Sequence, residues 1–194
     1  EQEDKSGFSV DIMIDGSSSR KNSQEFIAAQ VYILAKSLER CNIPCQIYSY
    51  CSIRGYTVLR IFKDYSEQKA GKEIFKYVAA GNNRDGLALK GAGHLKRILV
   101  VLTDASPQDD QSATEGAFYK NNEYTDELAI KDTEKEIHNL KSNNIQVIGI
   151  FMGSERGTIA AKEIFGKDFV KIETIHQFSD TVGRILQEKI RNIN

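Results

Sequence analysis

Phe8, Val10, Ile12 and Ile14 alternate with Ser9, Asp11 and Met13, the period-two pattern of a strand. The polar run Asp15-Gly16-Ser17-Ser18-Ser19 ends it. From Ser23 to Arg40 the spacing becomes helical, with Ile27, Val31, Leu34 and Leu38 on one stripe. Phe26, Ala28, Ala29, Ile33 and Ala35 make this segment apolar nearly all round, which predicts a deeply buried helix. Gln46–Ser52 and Thr57–Phe62 are β-rich runs joined by Ile53-Arg54-Gly55-Tyr56. That link is short enough for a hairpin, which sets one strand antiparallel. Ser66–Val78 and Gly86–His94 are expected to be helices. Ile98-Leu99-Val100-Val101-Leu102, inside Arg97–Thr103, is unbroken in its apolar character, as suits a central parallel strand buried on both faces. A helix over Thr125–Ser142 follows, with Ile130, Thr133, Ile137 and Leu140 on one face. Then come a strand at Ile145–Phe151, a helix at Thr158–Phe165, a short strand at Phe169–Ile172 and a helix at Ser179–Ile190. Such alternation predicts an α/β fold: a doubly wound, Rossmann-like, mostly parallel sheet with one antiparallel edge strand and helices on both faces. Residues 1–7, Glu1-Gln2-Glu3-Asp4-Lys5-Ser6-Gly7, are expected to be a linker or boundary, and residues 8–194 a single domain.

Composition narrows the function classes. Lys and Arg number 26 against 27 Asp and Glu, a net charge of −1. This balance argues against a general affinity for nucleic acid or anionic lipid. There is no apolar run of ~18 residues, so no membrane span is expected. Cys41, Cys45 and Cys51 are odd in number, and His94, His138 and His176 are scattered. Neither set matches a zinc framework, and reduced thiols in a cytoplasmic protein are the expectation.

In open α/β sheets, ligands bind at the carboxyl ends of strands where the strand order reverses. After the first strand stands Asp15-x-Ser17-x-Ser19, and after the buried run stands Thr103-Asp104. Between them lies Gly81-Asn82-Asn83-Arg84-Asp85-Gly86, which opens a helix. Asp15, Ser17, Ser19, Asn83, Asp85 and Asp104 are thus the candidate metal ligands, all of them oxygen donors. Hard oxygen donors select Mg²⁺, Mn²⁺ or Ca²⁺ over zinc or copper. Ser17 and Ser19, two residues apart, can face one centre while Ser18 turns away, leaving a position for water or for a partner's carboxylate. Against this stand plainer readings. Asp15, Ser17 and Ser19 could cap the following helix, Asp85 could cap the helix from Gly86, and Arg20 and Arg84 could be solvated charges on the rim. The Gly81–Gly93 stretch lacks the Lys-Ser/Thr ending of a phosphate loop. A hydrolase reading lacks support: an aspartate-type phosphotransferase wants Asp at position 17, and no nucleophile elbow or adjoining His is present. No catalytic residue is therefore assigned. The long polar stretch Ala105–Tyr124 should overhang the rim, with Phe118 and Tyr119 tucking it down.

Asp15-Gly16-Ser17-Ser18-Ser19 resembles the Asp-x-Ser-x-Ser signature of von Willebrand factor A domains and their metal-ion-dependent adhesion site. Leu102-Thr103-Asp104 is similar to that family's third motif. The second motif normally supplies Thr, and here Asn83 takes that place with Asp85 two residues on. Either could complete the metal shell. Asn83-Arg84-Asp85-Gly86-Leu87-Ala88, Thr103-Asp104-Ala105-Ser106-Pro107 and Lys131-Asp132-Thr133 resemble the bacterial branch found in cobaltochelatase subunits and nitric-oxide-reductase activation proteins. The resemblance spans roughly residues 8–190. It implies a non-catalytic adaptor that holds Mg²⁺, takes an acidic residue from a protein partner, and works with an AAA+ ATPase in metal-centre assembly or enzyme activation. An extracellular adhesion domain is the alternative the same motif allows.

Overall fold

Seven residues at the end of the polar tract's parent strand carry the whole architecture, because Ser9–Asp15 (β1) is buried along its length and must be covered on both faces. The computed structural model describes residues 8–54, 56–67, 71–92, 97–112, 123–124 and 126–191. β1 leads through a 3-10 turn at Ser18–Ser23 into α1 (Gln24–Arg40), then β2 (Cys45–Ile53) and β3 (Tyr56–Lys63). A second 3-10 turn (Lys72–Lys76) precedes α2 (Asp85–Ala92) and β4 (Arg97–Thr103). The strands β5 (Asp109–Ser112) and β6 (Glu123–Tyr124) form a separate antiparallel ribbon. α3 (Asp126–Ser142), β7 (Gln146–Phe151), α4 (Glu155–Phe165), β8 (Phe169–Lys171) and α5 (Ile175–Arg191) complete the chain.

The main sheet has six strands in the order β3-β2-β1-β4-β7-β8. Every pair is parallel except β2 with β3, the antiparallel edge expected from the hairpin. β1 and β4 are neighbours, with Ile14 opposite Leu102. The chain leaves β1 toward β2 on one side and reaches β4 on the other, so the strand order reverses at that pair.

Alternate side chains divide the core. Val10, Ile12, Ile14, Ile98, Val100, Leu102, Ile148 and Ile150 meet Ile27, Val31 and Leu38 of α1 and Phe178, Val182 and Leu186 of α5. On the other face Met13, Tyr48, Tyr50, Leu99, Val101 and Val147 meet Leu89 of α2, Ile137 and Leu140 of α3, and Ile164 and Phe165 of α4. α1 is less enclosed than its composition suggests, since Ile33 is exposed. The expected helix over Ser66–Val78 is replaced by the short 3-10 turn. Among its described residues only Ile74 and Tyr77 are buried, and the Asp64 carboxylate takes the Ser66 N–H into a turn. Phe118 and Tyr119 lie outside the described residues. No helix among the described residues is long and apolar enough to cross a membrane.

Two glycines make opposite predictions. A Cβ at Gly149 in β7 would lie 2.6 Å from the Phe165 ring, so Gly149→Ala forces that ring out of a close-packed layer and should cost about 1–3 kcal/mol. At Gly183, inside α5, a Cβ meets nothing within 4 Å, and Gly183→Ala should stabilise by about 0.5–1 kcal/mol through helix propensity. Urea denaturation of the two variants checks both signs.

Candidate metal centre

At the end of β1 the Gly16 N–H donates to the Tyr50 carbonyl at 2.7 Å, so the chain is still tied to β2 as it turns. The Ser17 N–H then donates to Asp15 Oδ1 at 2.8 Å. The Ser17 and Ser19 hydroxyls are 2.8 Å apart. Ser18, exposed, faces elsewhere: its hydroxyl and its N–H both donate to the Gly81 carbonyl at 2.9 Å. This is the division of the three serines that the two-residue spacing implied. Neither Ser17 nor Ser23 makes a side-chain cap to the following helix, so these hydroxyls are not spent as helix caps.

The second loop is fastened on three sides. Asn82 pairs with Ser52 through N–H to carbonyl bonds of 2.7 and 3.0 Å, and Asn83 pairs with Gln108 through two bonds of 2.9 Å. The Ala80 N–H donates to the Gly16 carbonyl at 2.7 Å. Gly81 takes a φ of +84° against the Ser52 carbonyl, where a Cβ would stand 2.5 Å away, a position only glycine fills without strain. Below it the Tyr77 hydroxyl donates to the Asp15 carbonyl at 2.5 Å.

This fastening brings Asn83 and Asp85 against Asp15. Asn83 Nδ2 donates to Asp15 Oδ2 at 3.4 Å and to Asp85 Oδ1 at 3.1 Å. Its Oδ1 accepts the Gln108 N–H at 3.0 Å. The Tyr50 hydroxyl donates to Asp85 Oδ1 at 2.8 Å, while Oδ2 enters none of these bonds. Asn83 is therefore a clamp between two carboxylates, with its acceptor already engaged. Asp85 is the first residue of α2 and points its carboxyl inward to Tyr50 rather than capping the helix.

From β4, Asp104 Oδ1 accepts the Ser106 N–H at 3.2 Å, and Ala105 directly after it holds a left-handed φ of 54°, a strained state for a residue with a Cβ. Asp104 Oδ2 lies 3.4 Å from Arg20 Nη2. Arg20 Nη1 donates to the Met152 carbonyl at 2.7 Å. The expectation that Arg20 is a solvated rim charge is thus corrected: the 3-10 turn after Ser17 rolls it inward, leaving 7% of it exposed. Arg84 is half-buried.

The electrostatics follow from burial. Asp15 is pushed up to about 7, first by loss of water and then by the Asp104 carboxylate, with the Ser17 N–H acting the other way. Asp85 is raised well above the usual carboxylate range by burial and by Asp15. Tyr50 and Tyr77 are raised as well, by burial and by the neighbouring acids. Fully ionised, these carboxylates would leave a negative excess beside the Arg20–Asp104 pair, which the ion-free site avoids by keeping protons on Asp15 and Asp85. A hard divalent ion matches both that excess and the all-oxygen donor set. No three carboxylate, imidazole or thiolate groups among the described residues close around one point, so an ion held here would need the serine hydroxyls among its donors. Tyr50, Tyr77 and Gln108 had no signal in periodicity. Tyr50 could have been found as the residue beside Asp15 at the carboxyl end of the adjacent strand.

No protein-family model matches the sequence, and no curated protein matches it. Solved structures match its shape. The pilus adhesin SpaC from Lactobacillus rhamnosus GG, in its open conformation, superposes with a TM-score of 0.65 at 14% identity, over 95% of this chain and 30% of that one. Manganese-loaded TRAP protein of Plasmodium vivax gives 0.60 at 16%, over 91% and 72%. Proximal thread matrix protein 1 from the mussel byssus, with a zinc-occupied MIDAS motif, gives 0.57 at 17%, over 92% and 47%. The chain has the von Willebrand factor A fold. It spans less than half the length of the adhesin and of the mussel protein. At these identities the likeness carries the fold and nothing about residues.

The buried acids make the ion-free domain pH-sensitive. Folded Asp15 keeps its proton up to about pH 7, whereas the usual value is 3.8. Between those values the native state binds more protons than the unfolded chain, so stability falls as pH rises through the window. In the presence of chelator, the thermal midpoint should drop between pH 5 and pH 7.5. Asp15→Asn should flatten that drop; an unchanged slope would place its cause elsewhere.

Proposed function

We infer that this chain is a metal-ion-dependent protein-interaction domain without catalytic activity of its own. The observation that carries this reading is the excess of acids: Asp15, Asp85 and Asp104 against Arg20, beside two paired hydroxyls at the reversal of strand order. Ser17 and Ser19 would hold the ion with Asp104 and Asp85, while Asp15 orients Ser17 through its N–H and Asn83 spaces the two inner carboxylates. Mg²⁺ fits the hard donor set, with Mn²⁺ and Ca²⁺ as the other candidates. The manganese in the TRAP structure and the zinc in the mussel MIDAS motif support a divalent ion in a site on this fold. When bound, the ion supplies a Lewis-acidic position for a carboxylate from a protein partner.

A hydrolase is not supported. His138 is exposed on α3 beside Ser142, away from the candidate site residues in sequence, and Asp15 is fully buried, so neither is presented as a base or nucleophile at that site. An AAA+ ATPase as the partner, in cytoplasmic metal-centre assembly or enzyme activation, extends this reading on the strength of the Asn83-Arg84-Asp85-Gly86 resemblance. The second reading, an extracellular adhesion domain, is favoured by the pilus adhesin among the similar structures. Cys41 is exposed, Cys45 buried and Cys51 half-buried, and all three are free thiols, which fits the first setting better.

Calorimetric titration with Mg²⁺ and Mn²⁺ separates the residue roles. Ser17→Ala and Asp104→Ala should weaken binding by more than about tenfold, roughly the loss of one charged or ligating contact. Asp85→Asn should do likewise. Asn83→Ala should weaken it less while lowering stability by about 1–3 kcal/mol, because the buried carboxyls of Asp15 and Asp85 lose the amide donor between them. Full affinity in Ser17→Ala and Asp104→Ala together would end the assignment.

A further inference from the structure

β3 is the outermost strand of the sheet and pairs, among the described residues, only with β2. Alternate N–H and C=O groups of an edge strand point away from its neighbour, open to another strand. Edges are normally blunted by Pro, by charges, by bulges or by brevity. Here a register shift between Ile61 and Lys63 and the inward Lys63 act only at the carboxyl end of the strand, leaving Tyr56–Ile61 without such a device. This one is eight residues long and holds no Pro. Its lysine, Lys63, is turned inward, with Nζ donating to the carbonyls of Cys45, Asp64 and Glu67 at 2.6–3.0 Å. Instead the strand exposes apolar side chains: Tyr56 is 74% exposed, Ile61 59%, Leu59 45% and Val58 42%.

The two faces differ in chemistry. Leu59 and Ile61 lie opposite Tyr50 and Tyr48, on the α2 side, where exposed Leu87 extends the apolar surface. Tyr56, Val58 and Arg60 lie on the other face. Arg60 stacks over the Phe62 ring at 5.2 Å, and neither it nor Arg54 at the head of the hairpin has an ion-pair partner among the described residues. No carboxylate occurs from Ile53 to Phe62. The edge is therefore apolar on one face and apolar with a cation on the other. A second copy of this strand, paired antiparallel with Arg60 opposite Arg60, would set two cations across from each other on one face, which is unfavourable. An acidic strand meets no such conflict.

We propose that the free edge of β3 takes up an extended partner segment, apolar and acidic in alternation, as a seventh strand of the sheet. Main-chain hydrogen bonds supply the attachment, and the alternation selects the segment: its apolar side lies on Leu59 and Ile61, its acidic side by Arg60. The hairpin stands at the same rim as the candidate metal centre, because Ser52 pairs with Asn82 next to Asn83. One acidic partner chain can thus pass from the rim down the edge. The edge does not depend on the metal reading, and its test is made without metal.

The isotopically labelled domain, with excess chelator, is titrated with two capped octapeptides, one alternating Val and Glu, the other Val and Lys. The Val-Glu peptide should shift and protect the amides of residues 56–63 and leave the three-residue edge β8, which carries Lys171, unchanged. Arg60→Glu, an exposed change that opens no cavity, should weaken that peptide by about fivefold and favour the Val-Lys peptide instead. Equal response to both peptides, shifts centred away from β3, or a dimer through β3 in sedimentation would overturn the proposal. Loss of Mg²⁺ binding in a separate titration would leave this result untouched and bear only on the metal reading.

Discussion

Three carboxyl groups held out of water at the meeting of β1 and β4 set the terms for the rest of this molecule. Asp15 and Asp85 are pushed toward their protonated forms by burial and by the neighbouring acids, and Arg20 pairs with Asp104. Tyr50, Tyr77, Asn83 and the Ser17 N–H supply donors around them. Such a cluster persists only if the scaffold over-determines it. The sheet does so by burying both faces of β1 and β4, and the loops do so by cross-tying Ser18 to Gly81, Asn82 to Ser52, and Asn83 to Gln108.

Arg20 links this centre to a neighbouring loop. Its guanidinium bridges Asp104 and the Met152 carbonyl, and Met152 in turn donates its N–H to the Thr103 carbonyl. Whatever balances Asp104 therefore bears on the turn between β7 and α4. The two contacts, 3.4 and 2.7 Å, tie the charge of Asp104 to the backbone of that turn.

The parts of the fold legible in the sequence were those with a single use for their pattern. Arg97–Thr103 could only be a strand buried on both faces, and its limits agree with β4. The hairpin followed from a short link between two β-rich runs. Ser66–Val78 misled because Ile74 and Tyr77 are three apart, as in a helix, while Gly71 and the Asp64 turn break the run. α5 begins at Ile175, ahead of the expected Ser179, since buried Phe178 already belongs to its inner face. At the site, the hydroxyls and carboxylates were legible from their place after strands. Arg20 was not, because nothing in its neighbours foretells that a 3-10 turn rolls a charge inward. The direction of the Asn83 amide, which donates to Asp15 and Asp85 and takes the Gln108 N–H on its oxygen, also needed coordinates.

If a divalent ion sits among these oxygens, it should rest directly on the serine hydroxyls. Anomalous diffraction from a crystal soaked in Mn²⁺ locates the ion without reference to activity. A single strong peak is expected about 2.1 Å from Ser17 Oγ and Ser19 Oγ, with Asn83 outside the coordination shell. A peak bonded to Asn83 Oδ1 in place of the serines, or strong peaks only at surface carboxylates away from β1 and β4, would contradict it.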